Sequence, residues 1–507
     1  MYVVSAPNLA ELLTGWASGA DPLNEQLAAG IARAIERGDL AGGARLPSER
    51  DLARVLGLSR TTIVLAYGRL RDAGLVRSRQ GSGTRVVSRD GPGASASPGL
   101  IQGYVQPVAS GSRPAATDNE PAGLLLTVPL DPEAGSGMIE LTIGALRATS
   151  IVQRAAEDAI REDLPRLMTD FGYRPFGIPA LRAEIAAHFE QLGVRTDPDH
   201  IVVTSGAQQA VDLVAQELVG RDGIAALENP TYLGAIDAMR AAGARMLPLP
   251  SDENGLRVDL ASAAIASTSV RAILVVPTYQ NPTGTVLPED RRRELARLAT
   301  NSGTLVVEDL TTDIGLGRGV PPPIAAFDRA GRVVTIGSLS KVGWGGLRLG
   351  WIRAPQALVG QLLSRKTIAD HGTSTITQAI GLRLLAQRDR LAEGTLAAAA
   401  ERRSALGDAL RKLLPEWEWR EPAGGLSMWV RLPDADAPRF ARVAAEHGVV
   451  VRPGPLFSPD GGCRDYLRIA IGEEPERLRE GVIRMAAAWE RSREAIRRER
   501  PLLSLSV

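Results

Sequence analysis

The chain has 507 residues, too many for one small domain, and a length prior allows about three. Its 44% hydrophobic and 23% charged residues are ordinary for globular protein, and a net charge of +1 gives the whole chain no claim to polyanion binding. One cysteine excludes an internal disulfide framework and a multi-cysteine metal site, and the four histidines lack metal-ligand spacing, so no metal is expected.

The N-terminus carries no basic stretch followed by an apolar core, and no apolar run approaches the roughly 18 residues of a membrane span. The expected compartment is cytoplasmic. The charge is unevenly spread, with twelve Arg against six Asp and Glu between Asn24 and Arg89. A local excess of that kind suits a surface that neutralises phosphates.

Residues 1–88 read as helix-rich. Leu23, Leu27, Ile31 and Ile35 at helical spacing predict a helix from Leu23 to Arg37, stopped by Gly38. Ser48 caps a second helix that ends at Gly57, with Pro47 just outside it. Ser59 caps a third, Arg60 to Ala73, with Ile63, Ala66, Tyr67 and Leu70 inward and Gly74 as its stop. Two short helices joined by a tight glycine turn make a helix-turn-helix, whose second helix offers Ser59, Arg60, Thr61 and Thr62 to the major groove. Leu75 to Val87 then reads as a hairpin around Gly81-Ser82-Gly83, with Arg77, Arg79 and Arg85 available for phosphates.

The run from Leu46 to Val87 resembles the winged-helix domain of the GntR superfamily over its whole length. The resemblance implies binding to a double-stranded DNA operator. By position, Arg50, Arg60, Thr61 and Thr62 match DNA-contacting residues, the wing tip at Gly81 matches a minor-groove contact, and Ser48, Ser59 and Arg79 complete the expected surface.

Residues 89–137, rich in Gly, Pro, Ala and Ser, read as a flexible linker too poor in apolar surface to fold alone. Residues 138–490 alternate helical stretches with apolar runs at Ile201–Thr204, Ala272–Val276, Thr304–Val307 and Val333–Ile336, which predicts an α/β domain with a mostly parallel sheet. Residues 491–507 read as a charged tail, helical at first and then fraying.

Only three lysines occur, Lys341, Lys366 and Lys412, in a chain whose positive charge is otherwise arginine. Lys366 and Lys412 need no explanation beyond chance. Lys341, after Gly337-Ser338-Leu339-Ser340, is an amine that can form an imine with an aldehyde, a task guanidinium does not perform near neutral pH. Ser338 or Ser340 can donate to a phosphate there, and Arg348 adds fixed positive charge. Ser205-Gly206-Ala207-Gln208 follows a strand and opens a helix, an anion-holding geometry. Tyr232 ends Glu-Asn-Pro-Thr-Tyr and can stack on a ring. Asn281 lies in an Asn-Pro-Thr-Gly turn, Asp309 closes a strand, and Arg468 sits in an apolar strand where only a carboxylate partner offsets the cost of its burial.

In this order these motifs resemble fold-type I, pyridoxal 5′-phosphate (PLP) dependent enzymes of the class I/II aminotransferase family. The resemblance implies Lys341 as the Schiff-base lysine, Asp309 as partner of the pyridine nitrogen and Asn281 as contact to the phenolic oxygen. It implies Tyr232 as the stacking ring, with Ser205, Ala207, Gln208, Ser338 and Arg348 near the phosphate and Arg468 holding a carboxylate. Tyr173 matches a tyrosine that reaches the neighbouring subunit's phosphate, which implies a homodimer. One departure is that the family's tyrosine shortly after the aspartate is absent, Leu310, Thr311 and Thr312 following Asp309.

The whole chain is similar to the MocR subfamily of regulators. That implies a transcriptional regulator sensing a small amino compound at PLP, in a homodimer with each winged helix packed on the partner chain. An active aminotransferase carrying a DNA-binding domain is the alternative.

Overall fold

A computed structural model describes residues 137–499 and, before them, residues 22–36, 46–72, 75–79 and 83–86, with Ala6, Leu9, Ala10, Leu13 and Leu40. The linker reading therefore falls almost wholly outside the described residues, as do Gly81 and the chain beyond Glu499. The chain divides into two compact units.

The first unit holds helices α1 (Leu23–Glu36), α2 (Glu49–Leu56) and α3 (Arg60–Asp72), then the antiparallel strands β1 (Val76–Arg79) and β2 (Gly83–Val86). Ser48 caps α2 by accepting the Asp51 amide at 3.1 Å, and Gly57 ends that helix in a left-handed conformation, φ +67°. Leu27, Ile31, Leu52, Ile63, Tyr67 and Leu70 form its core. Each such side chain contributes roughly 1.5–3 kcal/mol by leaving water. Tyr67 is fully buried and satisfies its hydroxyl by donating to the Pro47 carbonyl at 3.0 Å, tying α3 to the entry of α2. Leu23, expected on the inner face of α1, is 46% exposed because it is the first helical residue and lies beyond the packed turn.

The second unit is built on an eight-stranded sheet. Its strands, in chain order, are β3 (Ile201–Thr204), β4 (Ile224–Asn229), β5 (Arg245–Asp252), β6 (Gly255–Leu256), β7 (Val270–Val275), β8 (Leu305–Asp309), β9 (Val333–Ser338) and β10 (Gly350–Arg353). The spatial order is β3-β10-β9-β8-β7-β4-β5-β6. β4, β5, β7, β8 and β9 pair in parallel, while β10 runs antiparallel to β9 and β3. Successive residues of a strand feed opposite cores: Val203, Ile273, Val306 and Val333 join one cluster, Val202, Leu274, Val307 and Val334 another. Burial on both faces explains why these strands read as continuous apolar runs without alternation.

A smaller sheet joins β11 (Glu418–Trp419), β12 (Ser427–Arg431), β13 (Arg452–Pro453) and β14 (Tyr466–Ala470) in the order β11-β12-β14-β13. It packs with a 25-residue helix, Pro475–Glu499, which runs unbroken past residue 490, where the sequence reading placed the start of a tail. No helix among the described residues is long and apolar enough to cross a membrane.

Candidate functional site

The parallel strands all end at one edge of the large sheet, where Asn281 and Lys341 follow strands and Asp309 closes one, while Arg468 comes from the smaller sheet. Asp309 is the last residue of β8, 5% exposed, and accepts the Thr311 amide at 2.8 Å. Burial raises its pKa, opposed by hydrogen bonds from Thr311 and by the charge of Lys341. Lys341 follows β9 by three residues and donates from Nζ to the Gly144 carbonyl at 2.5 Å. Burial, then the neighbouring Arg468 and Arg348, push its pKa down to about 8, with Asp309 opposing. The amine is thus much closer to a neutral nucleophile than an exposed lysine.

Lys341 shares a pocket with Gly144, Asn281, Thr312, Gly425 and Arg468. Asn281 Oδ1 is buried there without a hydrogen-bond partner. Arg468, 7% exposed on β14, donates from Nη1 to the Thr142 carbonyl at 2.9 Å, and its Nε is buried and unpartnered. Burial, with Arg452 alongside, lowers its pKa to about 10, so it stays cationic at neutral pH. Its guanidinium lies against Gly144, where an added Cβ would meet Nη2 at 2.3 Å.

The anion cradle is the N-terminus of helix α4 (Ala207–Val214). Gly206, at φ +83°, makes the turn from β3, and the first-turn amides, those of Ala207 and Gln208 among them, have no intrahelical acceptor. Arg348 is exposed, adopts φ +47°, and lies against Gly206. Two assigned hydroxyls are already engaged. Ser205 Oγ donates to Asp370 at 3.2 Å, and Ser338 Oγ donates to the Leu349 carbonyl at 2.8 Å while accepting the Ser340 amide. Ser340 Oγ is buried and has no partner, so of the two serines before the lysine it is the one with a free hydroxyl.

The Gln208 side chain donates to the Gly234 carbonyl at 3.0 Å and accepts from the Tyr232 hydroxyl at 3.0 Å, which fixes the Tyr232 ring. Gly234 is required by that arrangement, since a Cβ there would meet both partners within 2.6 Å. Tyr173 is 72% exposed and does not line the pocket; its ring stands edge-on to His371 at 6.4 Å. Thr312 occupies the region where the sequence lacks a tyrosine, and its hydroxyl donates to the Thr278 carbonyl at 2.8 Å.

Sequence reasoning missed Gly144, whose only signal was an ordinary Ile-Gly-Ala stretch, and it dismissed Lys366. That lysine is fully buried and paired with Asp370 at 2.6 Å.

In the first unit, Ser48, Arg50, Ser59, Arg60 and Thr61 are exposed. Ser59 Oγ accepts the Thr62 amide at 3.1 Å and lies 2.8 Å from the Thr62 hydroxyl, so both serve as the helix cap. Arg50, Arg60 and Thr61 keep their side chains free of that cap. Arg79 ends β1.

The fold and the pocket together define a protein of the aminotransferase type, in which a buried amine, an acid and an arginine converge beside a helix N-terminus. The chain belongs to the class I and II aminotransferase family over residues 136–484 and carries a domain of the gntR family of bacterial regulatory proteins over residues 23–86, the fusion of MocR-type regulators. It is similar to the probable rhizopine catabolism regulatory protein MocR of Rhizobium meliloti, 28% identical over 92% of this chain and 94% of that protein. The HTH-type transcriptional regulator TauR of Rhodobacter capsulatus is 29% identical over 93% and 97%. The crystal structure of LysN, an α-aminoadipate aminotransferase from Thermus thermophilus complexed with N-(5′-phosphopyridoxyl)-L-leucine, is 29% identical with a TM-score of 0.65 over 71% of this chain and 94% of that one.

Residues 23–86 are accordingly a DNA-binding domain, and the cofactor of the aminotransferase fold is PLP. The residues present fit it: Asn281 Oδ1 and Ser340 Oγ are buried polar atoms lacking partners, and the cradle at Gly206 is closed by Gly350 so tightly that a Cβ would strike backbone.

Proposed function

We propose that the chain is a DNA-binding regulator whose second unit senses a small amino compound at PLP. PLP supplies an aldehyde for a primary amine, a phosphate as anchor and a ring that withdraws electrons. Lys341 would hold the aldehyde carbon, Asp309 the ring nitrogen, Asn281 the phenolic oxygen and Tyr232 the ring face. The Ala207 and Gln208 amides, Ser340 and Arg348 would hold the phosphate, with Ser205 and Ser338 shaping the cradle. Arg468 would take the effector's carboxylate, its unpartnered Nε being available. Residues 1–88, 89–137, 138–490 and 491–507 serve as DNA-binding domain, linker, effector domain and tail of a cytoplasmic homodimer, with Tyr173 turned towards the second copy.

The observation that carries this reading is the placement of Lys341. Its amine has a depressed pKa and shares one pocket with Arg468, on a chain that also bears a helix-turn-helix. Thr312, engaged with Thr278, supplies no hydroxyl of the usual kind for turnover, which favours sensing over transamination. The test is borohydride reduction followed by peptide mapping. A pyridoxyl adduct at Lys341, absent in Lys341→Ala, is expected; an adduct elsewhere, or none, refutes the assignment. Complete conversion of bound cofactor by common amino acids with recycling by ketoacids would establish the enzyme instead.

A further inference from the structure

Lys366 lies on helix α5 (Gln356–Asp370), where its side chain is fully buried. Its Nζ donates to Asp370 Oδ1 at 2.6 Å, an oxygen that also accepts the Gly372 amide at 2.9 Å. The other carboxylate oxygen accepts from Gln209 Nε2 at 2.9 Å and from Ser205 Oγ at 3.2 Å. Gln209 in turn accepts the Ser205 amide at 2.8 Å through Oε1. Both donors of Ser205 are therefore fixed by one carboxylate and the amide it orients. Ser205 immediately precedes the Gly206 turn that opens α4.

A carboxylate is a poor neighbour for a phosphate site, because like charges in a partly buried setting repel with little screening. A buried lysine is equally costly without a partner. Each group makes the other tolerable, and the pair does so next to the cradle. Removing one leaves the other's charge uncompensated.

We propose that Lys366 and Asp370 are positioning residues for the PLP phosphate: the carboxylate sets the Ser205–Gly206–Ala207 turn, and the ammonium cancels the charge that would otherwise oppose the phosphate. This rests on the reading of the α4 N-terminus as the phosphate site.

The test is equilibrium binding of PLP to the full-length apo chain, alongside its thermal unfolding. Lys366→Met is expected to weaken PLP binding by about tenfold or more, because it exposes the phosphate to an uncompensated carboxylate. Adding Asp370→Asn to that variant removes the charge while leaving an amide oxygen to accept from Gln209 and Ser205, and should restore affinity to within about threefold of wild type, a coupling that loss of packing alone would not give. Should Lys366→Met fail to fold, Lys366→Gln removes the same charge while keeping a donor for Asp370 and is expected to behave alike. An affinity for PLP unchanged in Lys366→Met or Lys366→Gln overturns the proposal, as does a loss that Asp370→Asn leaves uncorrected in a folded double variant. A wild-type chain that takes up no PLP overturns the cofactor reading and this proposal together, a result distinguishable from the others before any variant is made.

Discussion

The amine of Lys341 can work near neutral pH because burial and two arginines disfavour its proton more than Asp309 favours it. A lysine whose folded pKa is lowered is neutral in the fold, and charged in the unfolded chain, between about 8 and the ordinary value of 10.5. In that window the unfolded state binds more protons, so this group makes the fold more stable as pH rises. The chemical consequence is more direct. The rate of PLP uptake by the apo chain should climb with pH and level off above about 8, since the neutral amine is the nucleophile. Arg468→Met, which removes the second-largest cause of the shift, should move the midpoint upward. A midpoint in the ordinary lysine range, or one that ignores Arg468, would show that the neighbourhood of Lys341 does not tune it.

Strand β10 fits closely against the start of α4. Gly350 pairs with Thr204, and a Cβ on it would lie 2.6 Å from Gly206 C and 2.7 Å from Ala207 N. Neither backbone atom can step aside. Gly350→Ala should therefore cost roughly 1–3 kcal/mol of stability, as overpacking does, and loosen the cradle, read as a lower unfolding temperature together with weaker PLP binding. A variant that kept both would mean the strand can slide. In the first unit, Ser48→Ala should cost ~1 kcal/mol through loss of the α2 cap. Arg60→Ala, at an exposed first-turn position of α3, should leave the unfolding temperature alone and weaken operator binding. Fluorescence anisotropy on operator and scrambled duplexes separates the two, and an Arg60→Ala chain of undiminished operator affinity would take Arg60 off the reading face.

The helices of the first unit were legible because their caps, stops and apolar stripes are local. The large strands were equally legible, since burial on both faces writes an unbroken apolar run. What pattern could not show was where side chains place their hydrogen bonds. Ser205 and Ser338 are the right residue type in the right place, yet their hydroxyls are taken by Asp370 and by the Leu349 carbonyl, partners 165 and 11 residues away. Lys366 looked incidental because its meaning lies in a contact with a residue one helical turn on and, through it, with a distant loop. Only tertiary packing reveals such assignments.

Two ligands proposed for one chain carry an obligation. If an amino compound alters operator affinity by some factor, the operator must alter affinity for that compound by the same factor. Titrating the compound spectroscopically with and without operator, and the operator with and without compound, should return equal ratios. Ratios of one in both titrations would mean that the two units ignore each other, and the sensing proposal would fall while both binding activities stood.

The scarcity of side-chain amines has a practical sequel. Lys341 is committed to a carbonyl contact in its pocket and Lys366 is sealed in an ion pair, which leaves Lys412, exposed near the end of a long helix, as the one lysine that solvent reaches freely. With PLP holding Lys341, an amine-directed dye should mark Lys412 alone among the three lysines, giving an optical beacon on the second unit for binding experiments with DNA or an amino compound.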